Sequence, residues 1–334
     1  MGLNKPVAVI ISDVHYNLKN LELADNSMRQ AISKANELSV NLIVAGDLHD
    51  TKANMRAECI NAMIETFKLC DKKFHVMVGN HDRINEKSEA HSLNFLRGLS
   101  WSDGVHSEAV KMDTRELYMV PYYSNLDDLR AELKQIPRGS IVIMHQGIQG
   151  SDSGEYIQDK TAITKEDVAG LRVISGHYHK RQDIKLPDGG LWSYIGNPYT
   201  QNFAEANDPE KGFQILMDDG SLEFVPTNLR KHVLIENDIS ELIAIPYLHK
   251  SGDLVWFRLK GTKEECSKVT KQLVADNYGI TDPFKLDLIT IDTQYKHHKK
   301  QNLSQPELLD SIIDSLDTTD ARKSVIKGIW KSWS

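Results

Sequence analysis

Five short runs of apolar, largely β-branched residues recur along the chain, and each runs straight into polar residues. They are Val7-Ala8-Val9-Ile10-Ile11, Asn41-Leu42-Ile43-Val44-Ala45, Phe74-His75-Val76-Met77-Val78, Ser140-Ile141-Val142-Ile143-Met144 and Leu171-Arg172-Val173-Ile174-Ser175. Continuous runs of this kind mark strands covered on both faces. Between the first three lie stretches of helical spacing, Leu21 to Leu38 and about Asn54 to Leu69. Strand and helix alternating at that rhythm predict a right-handed βαβαβ unit. Ligands of such units sit beyond the carboxyl ends of the strands. All five polar clusters fall there: Ser12-Asp13-Val14-His15, Gly46-Asp47-Leu48-His49-Asp50, Gly79-Asn80-His81-Asp82, His145, and Gly176-His177-Tyr178-His179.

The remainder of the chain completes the expected fold. Ser88 to Leu99 and Leu126 to Gln135 read as helices, and Val105 to Val120 alternates like antiparallel strands. Gln182–Lys185, Leu191–Ile195, Gly212–Met217 and Leu222–Pro226 would complete a second sheet. The expected architecture is an α/β sandwich over residues 1–231. Composition changes after Lys231. A strand from Leu254, a helix from Lys263 to Asp276 and a strand from Lys285 suggest a small α+β module over 232–295. A basic linker, 296–303, leads to a tail, 304–334, with two short amphipathic helices. One gathers Leu308, Leu309, Ile312, Ile313 and Leu316; the other gathers Val325, Ile326, Ile329, Trp330 and Trp333.

Charge and cysteine content exclude several classes. With a formal net charge of -7 over 334 residues, the chain is no basic nucleic-acid sponge, so any nucleic-acid contact is local or metal-assisted. Cys59, Cys70 and Cys266 lack metal-ligand spacing and read as thiols of a reducing compartment. No signal peptide or membrane span is legible. The expectation is a soluble, cytoplasmic protein.

Asp13, His15, Asp47, Asn80, His145, His177 and His179 form a set of oxygen and nitrogen donors without thiolate, suited to Mn²⁺, Fe²⁺ or Zn²⁺. Seven donors exceed the need of one ion and fit two ions sharing one carboxylate. Asp47, from a central strand, is the natural bridge. Asp13, His15 and His179 would complete one site; Asn80, His145 and His177 would complete the other. Two such ions about 4 Å apart polarise a phosphoryl group and generate hydroxide for in-line attack. His81 would then act on the phosphate, with Asp82 fixing its tautomer and orientation. A single strand-end histidine is ordinarily just a satisfied core or surface residue. The ordered set of five clusters is not.

That set resembles the calcineurin-like metallophosphoesterase superfamily over roughly Met1 to Thr227. The resemblance implies a four-layer α/β/β/α sandwich around a two-metal site. Tyr194-Ile195-Gly196-Asn197-Pro198-Tyr199-Thr200, Asn207-Asp208-Pro209 and Lys211-Gly212-Phe213 further resemble the nuclease subunits of SbcCD-type double-strand-break repair complexes and similar phage recombination nucleases. By position, this implies a Mn²⁺-dependent DNA exonuclease and endonuclease and a DNA-facing capping module. It also implies a tail, 304–334, that binds a coiled-coil ATPase. The homodimer the resemblance implies would use the helices after the second and third clusters. One departure is that Asp50 stands where archaeal and eukaryotic members carry a His. No Gly-x-x-x-x-Gly-Lys-Ser/Thr occurs, so this chain brings no P-loop. Two rival readings stand beside this one: a small-molecule phosphomonoesterase or nucleotide phosphodiesterase of the same fold, and a non-catalytic scaffold.

Overall fold

The computed structural model describes residues 4–50, 52, 54–85, 90–99, 102–112, 116–152, 162–241 and 252–291. The linker 296–303 and the tail 304–334 lie outside these residues.

Strand β1 (Pro6–Ile11) leads through helix α1 (Leu21–Leu38) to β2 (Asn41–Val44), and α2 (Ala57–Phe67) leads to β3 (Phe74–Met77). The three strands pair in parallel, as the apolar rhythm predicts, and β4 (Ser102–His106) adds to β3 in parallel. Next come β5 (Val110–Lys111), β6 (Leu117–Val120), α3 (Leu126–Leu133), β7 (Ile141–His145) and β8 (Arg172–Gly176). They are followed by β9 (Gln182–Lys185), β10 (Leu191–Tyr194), β11 (Gly212–Met217) and β12 (Leu222–Pro226). One sheet runs β12-β11-β1-β2-β3-β4 and the other β5-β6-β7-β8-β10-β9. The sequence reading puts all four of the last strands in the second sheet. Instead β11 pairs antiparallel with β1, with Ile215 opposite Val9, and carries β12 with it.

Side-chain alternation along each buried strand makes the layers. In β1, Val9 and Ile11 join Met28, Ile32, Met63 and Phe67 from α1 and α2, while Ala8 and Ile10 face the other sheet. In β7, Val142 and Met144 join Leu129 and Leu133 of α3, while Ile143 faces inward. The result is helices, sheet, sheet, helix. Each fully buried large apolar side chain stabilises this stack by about 1.5–3 kcal/mol. That is why β1 and β7 carry no polar residue until their carboxyl ends.

Two helix expectations change. The Ser88–Leu99 stretch forms a 3-10 helix, Ser92–Gly98, among its described residues. Only Leu93 and Leu96 are buried there, an i, i+3 pair that a three-residue turn stacks on one side. The stretch Lys263 to Asp276 breaks in two at Val269-Thr270, where the Thr270 hydroxyl accepts from the Leu273 N–H and caps a new helix.

Beyond residue 231, β13 (His232–Asp238), β14 (Leu254–Gly261) and β15 (Phe284–Thr290) form a separate parallel sheet. Val255, Phe257 and Leu259 pack there on α4 (Lys263–Lys268) and α5 (Lys271–Tyr278), with a core of their own. Strand β13 was not anticipated. The module rests on Phe203, whose ring meets His232 and Trp256 edge-on at 4.9 and 5.2 Å.

Candidate metal centre

The carboxyl ends of β1, β2, β3, β7 and β8 converge, and all seven donors expected from the sequence come together there. Turning the chain from strand to site requires uncommon backbone. Asp13, His15, Asp47 and His177 have φ of 54°, 50°, 50° and 89°. Non-glycine residues in this left-handed region cost about 1–3 kcal/mol each, and they persist where packing over-determines them. Space is equally tight. A Cβ on Gly79 would lie under 3.0 Å from the Asp47 carboxylate and backbone nitrogen, so the Asp47 and Asn80 loops approach this closely only through a glycine. Gly46, at φ 94°, has the same relation to the His145 ring.

Asp47 sits at the middle. Its Oδ1 accepts from the His81 backbone N–H at 2.8 Å, while its Oδ2 lies 3.2 Å from His145 Nε2 and 3.8 Å from His15 Nε2. Burial alone would raise its carboxyl, but the His145, His15 and His81 imidazoles override burial and hold it far below the usual carboxylate range. On one side, His15 Nε2 and His179 Nε2 stand 3.1 Å apart, next to Asp13. On the other, Asn80 Oδ1 lies 3.0 Å from His145 Nε2 and 2.9 Å from His177 Nδ1. The Asp13 carboxylate also accepts from the His177 backbone N–H at 3.1 Å, tying the first and last clusters together.

These donors fit divalent ions. His145 donates its Nδ1–H to the Ala45 carbonyl at 2.8 Å, so its neutral ring presents a bare Nε2. That lone pair faces only acceptors, Asn80 Oδ1 and Asp47 Oδ2. A positive charge at this point reconciles them, and without a metal a proton supplies it. Burial lowers the His145 pKa, yet the Asp47 charge and hydrogen bond outweigh burial and raise it to about 9. On the other side, two imidazole nitrogens each about 2.1 Å from a shared ion, at octahedral to tetrahedral angles, would be about 3.0–3.4 Å apart. The 3.1 Å between His15 and His179 lies in that interval. Asp13, His15 and His179 thus suit one ion, Asn80, His145 and His177 the other, with Asp47 between.

The expected role of Asp82 is not borne out. Its carboxylate is fully buried and accepts from the backbone N–H groups of His49 (2.9 Å) and Gly79 (2.8 Å), not from His81. It fastens the loop after β2 to the loop after β3. The side chain of a residue three positions after Gly79 folds back on that turn, whereas the next-door His81 ring points the other way. Burial and the Asp47 charge raise Asp82 to about 7, against the pull of its two backbone donors. His81 instead donates Nδ1–H to the backbone carbonyl of Asp50 at 2.8 Å. Its ring stands edge-on to His15, with centroids 4.8 Å apart.

Two carboxylates that no motif reading assigned also touch the donor set. Asp50 lies 3.3 Å from His15 Nδ1, and Glu205 lies 2.8 Å from His179 Nδ1. Asp50 stands where archaeal and eukaryotic members carry a His, so the resemblance gives it no role of its own. Glu205 belongs to Phe203-Ala204-Glu205, which lies between the Tyr194–Thr200 and Asn207–Pro209 segments and in neither; the fold brings it near His179.

The sequence pattern of the calcineurin-like phosphoesterase family matches residues 7–181, which contain all seven donors and His81. The chain belongs to the calcineurin-like phosphoesterase family. It is therefore a metal-dependent phosphoester hydrolase, with a candidate two-metal set at its strand ends. No curated protein matches the chain. Similar solved structures include a dimetal phosphatase from Danio rerio, at 12% identity and a TM-score of 0.39, covering 63% of this chain and 92% of that one. They also include GAP50, the anchor in the inner membrane complex of Plasmodium, at 12% identity and a TM-score of 0.42, covering 86% and 97%. Among the described residues, no helix is long and apolar enough to cross a membrane.

Proposed function

We propose that this phosphoesterase is a Mn²⁺-dependent DNA nuclease, acting as both exonuclease and endonuclease in recombination and double-strand-break processing. The observation that carries the phosphodiesterase part is the convergence of six donors on the two sides of a seventh, Asp47. What favours DNA over a small phosphate ester is the segment after β10, whose sequence resembles break-repair nucleases. On the module beyond residue 231, Lys285 Nζ lies 3.6 Å and Arg258 5.6 Å from the Trp256 ring centroid, and each cation is also paired with a carboxylate, Asp287 at 3.5 Å and Glu236 at 2.7 Å.

When bound, the two ions polarise the phosphoryl group and lower the pKa of water. The chain's own residues do the rest. Asp13, His15 and His179 would hold one ion, Asn80, His145 and His177 the other, and Asp47 would serve both. The Asp50 carbonyl fixes Nδ1 as the His81 donor, so Nε2 is the free atom. In the imidazolium form Nε2–H offers a proton and a positive charge to the ester oxygen that leaves as water oxygen bonds to phosphorus.

The chain acts as a homodimer with a coiled-coil ATPase bound through 304–334. The test is digestion of end-labelled duplex and single-stranded DNA, with and without Mn²⁺, beside a small phosphomonoester. Mn²⁺-dependent DNA cleavage is expected; rapid monoester hydrolysis without it would favour the small-molecule reading. Deleting 304–334 should leave Mn²⁺ binding intact and abolish ATPase co-purification. Retained co-purification would refute the tail assignment.

A further inference from the structure

We propose that Glu205 is the positioning residue that sets the tautomer of His179 and thereby the affinity of one of the two ions. This rests on the two-metal reading of the site. His179 is the most exposed imidazole of the Asp13 side, with 30% of its side chain accessible against 2% for His15, so packing alone does not fix its ring. Glu205 is held much more firmly than the residue it contacts. It lies on a one-turn 3-10 helix, Phe203–Glu205, capped by the Asn202 side chain, which accepts from the Ala204 N–H. Its Oε2 accepts from Asn197 Nδ2 at 2.9 Å and from the Gln201 backbone N–H at 3.0 Å. Its Oε1 is left for His179 Nδ1 at 2.8 Å.

A lysine closes the frame. The buried Lys211 ammonium donates to the Asn197 carbonyl oxygen at 2.5 Å, to the His179 backbone carbonyl at 3.0 Å and to Asp208 at 2.7 Å. It also stands 3.5 Å from Glu205 Oε2. One buried cluster therefore grips both the backbone of His179 and the carboxylate against its ring. With the Lys211 ammonium and two N–H donors gathered around Oε2, Glu205 is an ionised carboxylate with no proton to give, so Oε1 can serve only as an acceptor toward His179. The imidazole then carries its proton on Nδ1, and Nε2 remains bare, 3.1 Å from His15 Nε2 where an ion belongs. Carboxylates in this relation to a ligating histidine ordinarily change metal affinity 10- to 100-fold.

Glu205→Gln separates this role from a merely structural one. Its amide must turn a donor toward either His179 or the Asn197 and Gln201 pair. With two donors on the far side, the NH₂ turns toward His179 and moves the ring proton to Nε2. The experiment is Mn²⁺ titration calorimetry together with ¹⁵N NMR of the metal-free, histidine-labelled protein. Wild type should bind two ions and show His179 protonated at Nδ1. Glu205→Gln should shift that proton to Nε2 and weaken one ion about 10- to 100-fold, leaving the other within about threefold. Glu205→Asp, which keeps the acceptor, should keep the Nδ1 tautomer and lose less affinity; it carries the test if Glu205→Gln does not fold. Two ions bound with unchanged affinity by Glu205→Gln, or a wild-type His179 protonated at Nε2, would overturn the proposal. A wild type that binds no Mn²⁺ would instead overturn the two-metal reading beneath it.

Discussion

Asp82→Asn distinguishes what neighbouring letters imply from what the fold does. If Asp82 oriented His81, the substitution would leave stability nearly untouched and reduce hydrolysis by a factor on the order of 10⁴, as when the orienting carboxylate of a catalytic histidine is lost. The structure predicts the reverse. The Asp82 carboxylate satisfies two buried N–H groups, on His49 and Gly79, and an amide has one oxygen for the two. Its NH₂ confronts the remaining N–H, and an unsatisfied buried donor costs about 1–3 kcal/mol. Relief of repulsion between Asp82 and Asp47 offsets part of that cost, and the offset depends on pH. Burial and Asp47 raise Asp82 to about 7 in the folded state, from 3.8 unfolded, so folding takes up a proton between those values. The wild type loses that contribution as pH rises through about 7, and the variant lacks the slope. The deficit should therefore be largest in mildly acidic buffer and shrink toward pH 8. His81 stays fixed by the Asp50 carbonyl, so kcat of the folded variant should fall less than about tenfold. Urea denaturation of metal-free protein at two pH values, with phosphodiester hydrolysis per folded enzyme, decides between them. Unchanged stability with hydrolysis lowered by thousands would refute this reasoning.

Other consequences follow from the same geometry. With His145 raised to about 9 in the metal-free protein, ion binding must release its proton. Apparent Mn²⁺ affinity should climb as pH rises toward 9 and then flatten; equal affinities at pH 6 and 8 would contradict this. Away from the site, burial and then the neighbouring His75 lower His106 to about 4. Stability from this group is present above about 6.5 and is lost as pH falls toward 4, because the unfolded chain binds the proton first. His106→Gln should remove that part of the acid sensitivity, and a variant with the wild-type pH slope in thermal melts would refute it.

The strands and their polar ends were legible because each obeys a local rule. A run such as Val7–Ile11 has to be buried on both faces, and its first polar residues have to emerge at its end. Strand β11 obeys no such rule. Its place beside β1 is a pairing across some two hundred residues, and nothing in Gly212–Met217 says which sheet it joins. Leu93 and Leu96 suit either helical period, so the letters of Ser88–Leu99 say helix without telling the 3-10 turn at Ser92–Gly98 from an α-helix. In the site, the donors were visible as residue types in order, but the groups that hold them were not. The acceptor for His81 is a backbone carbonyl, which carries no sequence signature. Glu205 reaches His179 across 26 residues, from outside all five polar clusters. Asp82 misled for the opposite reason: adjacency in sequence suggested a contact that the turn geometry forbids.

The central claim is that Asp47 lies between two ions held by the strand ends. Anomalous diffraction from Mn²⁺-soaked crystals tests it directly. Two peaks about 4 Å apart are predicted, one beside Asp13, His15 and His179 and one beside Asn80, His145 and His177, with both losing occupancy in Asp47→Ala. A single peak remote from Asp47, or two peaks undiminished in that variant, would contradict the account.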